Sequence, residues 1–195
     1  MPMTTDLYQD NRYVVRRKIF TLAGAKFRVL DSSGNLAFYS KQKAFKLKED
    51  IRLFADETMA TELLLIKARK VLDFSAAYDV IDSQSQTKVG AYKRKGLKSF
   101  LKDEWIIMDN QDNEIGLIEE DSMLLALIRR FVMALIPQSF QVKMNGATVC
   151  TLSQNFNPFT LRMTVDFSPD ANAAFDRRMG IAAALLLCAI EGRQD

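Results

Sequence analysis

The feature that most constrains the fold of this chain is an apolar run close to its C-terminal end. Residues 179–190 read MGIAAALLLCAI and contain no polar side chain, so a helix formed by them would have no face suited to water. At about 1.5 Å per residue the run is roughly 18 Å long, whereas a membrane span needs roughly 20 apolar residues. We therefore predict a short helix that is buried inside the protein on all sides.

The residues around this run predict where the helix begins and ends. Ser168 is a suitable N-cap, Pro169 fits the first helical position, and Asp170 suits the positive end of the helix dipole. Gly192 follows the run, at the position where a left-handed C-cap usually requires glycine. The expected helix therefore begins near Ser168 and ends before Gly192.

Most of the remaining chain consists of short segments with the composition of β-strands, separated by polar turns. Asn145–Gly146 between two alternating segments is a strong hairpin signal. The segment over residues 62–69 (ELLLIKAR) suits a helix as well as a strand. The segments predict about twelve strands of ordinary length. The candidate strands are residues 11–22, 27–31, 36–41, 44–48, 51–55, 62–69, 77–82, 87–93, 104–109, 114–119, 138–144, 147–153 and 159–167.

A closed barrel reconciles these strands with a helix that must be dry. About eight strands close a barrel that side chains alone fill, whereas about sixteen leave a water channel. A helix with its side chains is about 10–12 Å across, so an intermediate barrel can enclose one. The predicted fold is therefore all-β, a closed antiparallel barrel of about twelve strands around the C-terminal helix. We expect a single domain over residues 11–192, with residues 1–10 as a flexible leader.

The composition argues against catalysis. The chain of 195 residues contains no histidine, which removes the commonest general base and the commonest metal ligand. Residues 109–116 (DNQDNEIG) are acidic, but Glu114 stands where a calcium-binding EF-hand loop requires glycine. We interpret that segment as a hairpin turn, and we expect no enzyme activity, no cofactor and no metal site.

The cysteines and the N-terminal residues indicate the cellular compartment of the protein. Cys150 and Cys188 lie inside apolar patterns, which indicates two buried, reduced thiols, with a disulfide or a reactive thiol as the alternative. The first residues are polar and include Asp6 and Asp10, unlike a signal peptide. We therefore expect a cytoplasmic protein without a transmembrane span.

Two basic stretches are the candidate binding residues. Cations interleaved with apolar side chains suit contact with anionic lipid headgroups. Solvated strand edges, where lysine blocks edge pairing, are the alternative interpretation. Nucleic acid is not expected as a partner, because no groove-reading motif accompanies the charge. The candidate headgroup-binding residues are Lys93, Arg94, Lys95, Lys98 and Lys102 in the first stretch and Lys41, Lys43, Lys46 and Lys48 in the second.

A second helix is predicted from Ser122 to Ile136 (SMLLALIRRFVMALI), beginning at a capping residue and ending before Pro137. Arg129 and Arg130 divide two apolar blocks within it. The helix either packs on the outside of the sheet or contacts a membrane interface or a protein partner.

Three segments together with the strand pattern resemble a known family. They are RRKIFTL (residues 16–22), KGLKSFLKDEWIIMD (residues 95–109) and DANAAFDRRMGIAAALLLCAIEG (residues 170–192). The chain resembles the tubby C-terminal-like superfamily over residues 11–192, and most of all its LURP-one-related branch, to which phospholipid scramblases are also similar. The resemblance implies a closed barrel around a buried helix. It also implies binding of phosphoinositide headgroups through lysine and arginine.

Three functional hypotheses follow. The first is a non-enzymatic peripheral module that binds anionic phospholipid or phosphoinositide headgroups. The second is a protein-interaction or scaffold domain that uses the helix from Ser122 to Ile136. The third is lipid translocation of the kind that the scramblase resemblance implies, although residues 154–170, which correspond to the scramblases' acidic calcium segment, carry carboxylates only at Asp166 and Asp170.

Overall fold

The computed structural model describes residues 7–18, 25–42, 50–69, 77–95, 104–121, 138–155 and 160–191. These residues form twelve antiparallel β-strands that close into a barrel, followed by one α-helix. The strands are β1 (Arg12–Lys18), β2 (Ala25–Leu30), β3 (Leu36–Gln42), β4 (Ile51–Phe54), β5 (Glu62–Ala68), β6 (Ala77–Asp82), β7 (Thr87–Arg94), β8 (Glu104–Met108), β9 (Glu114–Glu120), β10 (Ser139–Met144), β11 (Ala147–Asn155) and β12 (Thr160–Asp166), and the helix is α1 (Arg177–Glu191). The predicted all-β barrel is confirmed.

The barrel is a simple meander in which each strand pairs with its neighbours in sequence. The ring closes where β12 pairs with β1, from Arg12 opposite Asp166 to Lys18 opposite Thr160. Alternating residues of each strand face the lumen, as in β12, where Leu161, Met163 and Val165 are buried. The segment over residues 62–69, which suited either element, forms strand β5 over Glu62–Ala68, and its residues Leu64 and Ile66 pack into the core of the barrel.

Helix α1 lies in the lumen of the barrel. It contacts β12 and β1 on one side and β7 on the other, and β7 is opposite β1 in the ring of twelve strands. The hydroxyl of Tyr92 on β7 donates to the Met179 carbonyl at 2.6 Å, and Arg17 on β1 donates to the Cys188 carbonyl at 3.2 Å. Residues 179–189 are all buried, which confirms the predicted helix without a water-facing side. Within the described residues no helix has the length and apolarity to span a membrane.

The predicted start of this helix is wrong. The helix begins at Arg177 rather than near Ser168, and residues 168–175 form turns before it. Asp176 is the actual N-cap, since its carboxylate accepts the Arg178 amide at 2.9 Å and its carbonyl accepts the Gly180 amide at 3.4 Å. The expected C-cap, Gly192, lies outside the described residues.

Asp170 has a different role from the one predicted. Its carboxylate accepts the backbone amides of Ala174 at 2.9 Å and Phe175 at 3.0 Å. It also accepts Arg177 Nη1 at 2.9 Å, and the Asp170 side chain is only 2% exposed. The residue therefore closes the turn that leads into α1 and binds the first helical side chain, instead of lying inside the helix.

Residues 7–10, which were expected to belong to a loose leader, pack against one end of the barrel. The Tyr8 ring stacks on Phe38 with 4.9 Å between ring centroids. The Tyr13 hydroxyl donates to the Leu7 carbonyl at 3.0 Å, and the Asp10 carboxylate accepts the Ser32 amide at 3.0 Å. Residues 7–10 therefore pack against the barrel, whereas residues 1–6 lie outside the described part of the chain.

Other predictions fall partly or wholly outside the described residues. The candidate strand at residues 44–48 and the helix from Ser122 to Ile136 both lie there. The cysteines are described, and Cys150 and Cys188 are both buried and are not joined in a disulfide. Burial raises the pKa of the Cys150 thiol well above its usual value, which suits an unreactive core residue.

Four of the five described hairpin turns at one end of the barrel, and the turn after β12, contain an aspartate that binds the turn backbone. In each, a carboxylate accepts the amide of a residue two to four positions later, as an Asx turn does. These aspartates, with the residues whose amides they accept, are Asp31 (Asn35), Asp56 (Thr58), Asp82 (Gln84 and Ser85), Asp109 (Gln111 and Asn113) and Asp166 (Ser168).

These contacts predict acid sensitivity. Burial raises the pKa of Asp170, but hydrogen bonds from Phe175, Ala174 and Arg177 outweigh it and hold the pKa below its usual value. Hydrogen bonds from Ser168 likewise lower the pKa of Asp166. Because the folded-state pKa values are lowered, their stabilisation is present at neutral pH and is lost as the pH falls below about 5. Urea unfolding at pH 7, 5 and 3 should show a falling free energy of unfolding.

Asp170→Asn tests this prediction at one site. It should cost about 1.5–3 kcal/mol at pH 7, because it weakens hydrogen bonds to a charged group. It should also flatten the dependence of stability on pH between 5 and 3. A variant with the wild-type pH dependence would show that Asp170 does not contribute to acid unfolding.

Candidate anion-binding surface

The first predicted basic stretch does not form one outward surface. Lys93 and Lys95 at the end of β7 are exposed, whereas Arg94 between them is half-buried. Strand alternation places Arg94 on the same side as its cross-strand partner Trp105, which is buried in the core. Lys95 Nζ lies 3.2 Å from Glu104 Oε2, so its charge is partly neutralised. Within the described residues, Lys93 is the cation of this stretch that is exposed and makes no ion pair.

The second predicted stretch is represented by Lys41, which is exposed on β3. Strands β3 and β7 are four positions apart in the ring, so the structure does not bring Lys41 and Lys93 together. The remaining candidates, Lys43, Lys46, Lys48, Lys98 and Lys102, lie outside the described residues.

A different set of cations shares one outward surface, which we call the basic face. On β1 the side chains of Tyr13 and Val15 are buried in the lumen, so Arg12 and Arg16 point outward. The same alternation on β2 buries Phe27. The basic face consists of the outward cations of four adjacent strands, namely Arg162 on β12, Arg12 and Arg16 on β1, Lys26 and Arg28 on β2, and Lys41 on β3.

Three arginines of the basic face form a row across neighbouring strands. Arg16 lies directly opposite Arg162 on one side and Arg28 on the other. Lys26 and Lys41 oppose each other in the same way. Directly opposed side chains have Cβ atoms about 4.5–5.5 Å apart, and like charges in such pairs are destabilising. The arrangement therefore costs stability unless an anion neutralises it.

The protein neutralises part of this charge, since Arg12 lies opposite Asp166 and attracts its carboxylate. Arg28 Nη2 lies 2.5 Å from Glu57 Oε1, and both side chains are about half exposed, so the pair contributes little. In the described part of the chain Arg16 and Arg162 make no ion pair. Arg162 Nε is buried without a hydrogen-bond partner.

An apolar row runs beside the arginine row. Val14 lies opposite Leu30, and Leu30 lies opposite Leu36, so three apolar side chains follow one another across β1, β2 and β3. Leu36 is 36% exposed, which makes it one of the few large hydrophobic side chains at the surface of the described residues. Cations beside exposed apolar side chains suit the boundary between headgroups and acyl chains.

A shallow groove of about 220 Å³ lies between these rows and the β2–β3 turn. Its apolar side chains are Val14 and Leu30, and its cations are Arg12 and Arg16. Asp31, Ser32 and Gly34 of the turn complete the lining. The lining of the groove therefore combines two arginines, an aspartate and a small apolar surface.

The cations of this face, apart from Lys41, were not among the predicted binding residues. They come from the two ends of the chain and do not form a contiguous basic stretch. Their signal in the sequence is the alternation Arg12, Val14, Arg16, repeated as Lys26 and Arg28, which indicates cations on one side of a strand. The contribution of Arg162 depends on the closure of β12 onto β1, which the local sequence does not specify.

The architecture defines the class of the protein as a closed antiparallel barrel with a helix in its lumen. Its fold is similar to that of a solved structure, the X-ray structure of the protein AT5G01750 from Arabidopsis thaliana, with a TM-score of 0.51 over 95% of both chains at 15% identity. No protein-family model and no curated protein matches the chain. At this identity the similarity concerns the fold alone.

Proposed function

We propose that this protein is a non-enzymatic peripheral module that binds anionic phospholipid headgroups through the basic face. The observation that carries the proposal is the row Arg162, Arg16 and Arg28, in which like charges oppose one another and two of the three lack an ion pair within the described residues. A headgroup phosphate between neighbouring guanidinium groups would relieve their repulsion. The proposal includes membership of the LURP-one-related branch and a cytoplasmic location at the membrane surface.

The chemistry of the face favours phosphate. Arginine presents a planar fork of donors that matches phosphate oxygens in pairs, whereas lysine acts as a point charge. Each cation near an anionic membrane contributes about 1 kcal/mol. The net charge of the chain is only +3, so attraction depends on this local cluster rather than on the whole protein. Binding should therefore weaken strongly when salt is raised.

The test is co-sedimentation with liposomes of phosphatidylcholine alone and with added phosphatidylserine. The variant Arg16→Gln with Arg162→Gln removes two charges of the basic face. At about 1 kcal/mol per charge, its affinity for the anionic liposomes should fall about 30-fold. The control, Lys67→Gln with Lys143→Gln, removes two charges from β5 and β10, outside the face, and should change the affinity much less.

The control variant separates a local site from bulk electrostatics. Equal losses in the two double variants would show that net charge alone drives binding and would overturn the assignment of the face. A wild type without preference for anionic over neutral liposomes would overturn the lipid function itself, and the protein-interaction hypothesis would take its place. Circular dichroism spectra of both variants should match the wild type.

A further inference from the structure

The groove on the basic face is not uniformly basic, and this difference points to a particular headgroup. Asp31 lines it together with Arg12 and Arg16. A carboxylate in this position repels a ligand that carries only negative charge. It attracts a ligand that carries a cation as well as an anion. Such a ligand can interact with Arg12, Arg16 and Asp31 together.

The position of the Asp31 carboxylate is fixed by the β2–β3 turn. Its Oδ1 accepts the Asn35 amide at 2.7 Å, and its Oδ2 accepts Asn35 Nδ2 at 3.3 Å. The Asp31 amide and carbonyl bind the Asn35 carbonyl at 2.9 Å and the Gly34 amide at 3.1 Å. A carboxylate has about four acceptor sites, so these two contacts leave acceptor capacity for a ligand. Asp31 makes no ion pair with another described residue.

We propose that this groove binds the phosphoserine headgroup of phosphatidylserine, a ligand that carries a phosphate, an ammonium and a carboxylate. The phosphate binds Arg16, the ammonium binds Asp31, and the ligand carboxylate binds Arg12. Val14 and Leu30 contact the glycerol end of the lipid. This inference rests on the proposed function and adds selectivity among anionic lipids.

The size of the groove agrees with a single headgroup. Its volume of about 220 Å³ is smaller than the roughly 300–1,000 Å³ of pockets that enclose whole drug-sized ligands. The exposed Leu36 lies beside it, opposite Leu30. A headgroup in the groove would therefore place its acyl chains at an apolar part of the surface.

Phosphatidylglycerol provides a matched competitor, because it carries the same net charge but lacks the ammonium and the carboxylate. Liposomes with equal mole fractions of either lipid in phosphatidylcholine should bind the wild type unequally. One charge-assisted hydrogen bond typically changes affinity about tenfold or more. We expect a preference of about tenfold for phosphatidylserine.

Asp31→Asn distinguishes specific recognition of the headgroup from bulk electrostatic attraction, because the two predict opposite changes in affinity for phosphatidylserine. The change removes a negative charge, so bulk attraction alone predicts tighter binding to both liposomes. The proposal predicts weaker binding to phosphatidylserine, about tenfold, with unchanged or tighter binding to phosphatidylglycerol. The asparagine oxygen can still accept the Asn35 amide, so the turn should persist.

The chain contains a matched control for this substitution. In the β8–β9 turn, Asp109 accepts the Asn113 amide and Asn113 Nδ2, both at 2.9 Å. Its backbone hydrogen bonds to Asn113 and Asp112 repeat those of the β2–β3 turn. Asp109→Asn thus makes the same change in charge and in turn geometry away from the basic face. It should tighten binding to both liposomes slightly or leave it unchanged.

The outcomes separate this inference from the function on which it rests. Equal binding to the two anionic lipids, with loss of binding in the Arg16 and Arg162 variant, would overturn the phosphoserine assignment and leave the lipid function standing. Tighter binding of Asp31→Asn to phosphatidylserine would also overturn the assignment. If glycerophosphoserine in solution binds as tightly as the liposomes, the ligand is the free headgroup, and the assignment to a membrane lipid is wrong.

Discussion

Leu186→Asp should yield no folded protein. Leu186 lies near the middle of α1 and is 3% exposed, so a carboxylate at this position would be buried in the lumen. Burying an unpaired charge costs several kcal/mol or more. The whole free energy of unfolding of a typical domain is only about 5–15 kcal/mol. The variant should therefore accumulate as insoluble protein or lack a cooperative thermal transition.

Two control variants test whether the effect comes from burial of the charge in the lumen and not from the loss of a leucine. Leu186→Met preserves volume and should cost less than about 1.5 kcal/mol. Leu117→Asp makes the same chemical change on β9 at a side chain that is 36% exposed, and it should leave the protein folded. A folded Leu186→Asp variant with a wild-type melting temperature would contradict the position of α1 inside the barrel.

The elements of the fold could be predicted where the local sequence pattern and the tertiary structure favour the same conformation. The run over residues 179–190 has no polar side, so burial was its only stable environment. Asn145–Gly146 forms the β10–β11 turn with positive φ angles of 49° and 81°, which is the conformation that these two residue types favour. In both cases the chemistry of a few neighbouring residues excludes the alternatives.

The start of α1 was not predictable from the same kind of signal. Ser168, Pro169 and Asp170 satisfy the requirements of a helix N-terminus and equally those of a tight turn. The turn forms because Asp170 is buried against Arg177, whose guanidinium lies 4.4 Å from the centre of the Phe167 ring. These contacts join residues seven and ten positions apart, so packing beyond the local N-cap signal decides between two locally acceptable conformations.

The candidate site was harder to predict than the fold for a related reason. Contiguous lysines attract attention in a sequence, but strand alternation sends neighbours such as Lys93 and Arg94 to opposite sides of the sheet. The row that forms instead depends on register, since Arg16 meets Arg162 only through the closing pair of strands. Shifting that pairing by one residue would move Arg162 to the lumen side. The position of a charge cluster on a barrel therefore depends on how the strands pair as well as on the sequence of each strand.

Gly180→Ala should destabilise the protein although alanine favours helices over glycine by about 1 kcal/mol. A Cβ at Gly180 would lie 2.4 Å from both Cε1 and Cζ of Phe167. The Phe167 ring is fully buried between Tyr13 and Phe175, with ring centroids 6.3 and 6.2 Å away. Overpacking of this kind costs about 1–3 kcal/mol, and Gly180→Val should cost more. Urea unfolding of the three proteins measures the order.

A double-mutant cycle with Phe167→Leu identifies the cause. The smaller side chain destabilises the protein by itself, but it removes the ring that the new Cβ would strike. In that background Gly180→Ala should become neutral or stabilising, because helix propensity then dominates. Ala184→Gly, one turn further along α1 at a buried position, should cost about 1 kcal/mol in either background. If Gly180→Ala stabilises the wild type, the ring does not restrict this turn, and the packing of α1 against the residues before it differs from the one described.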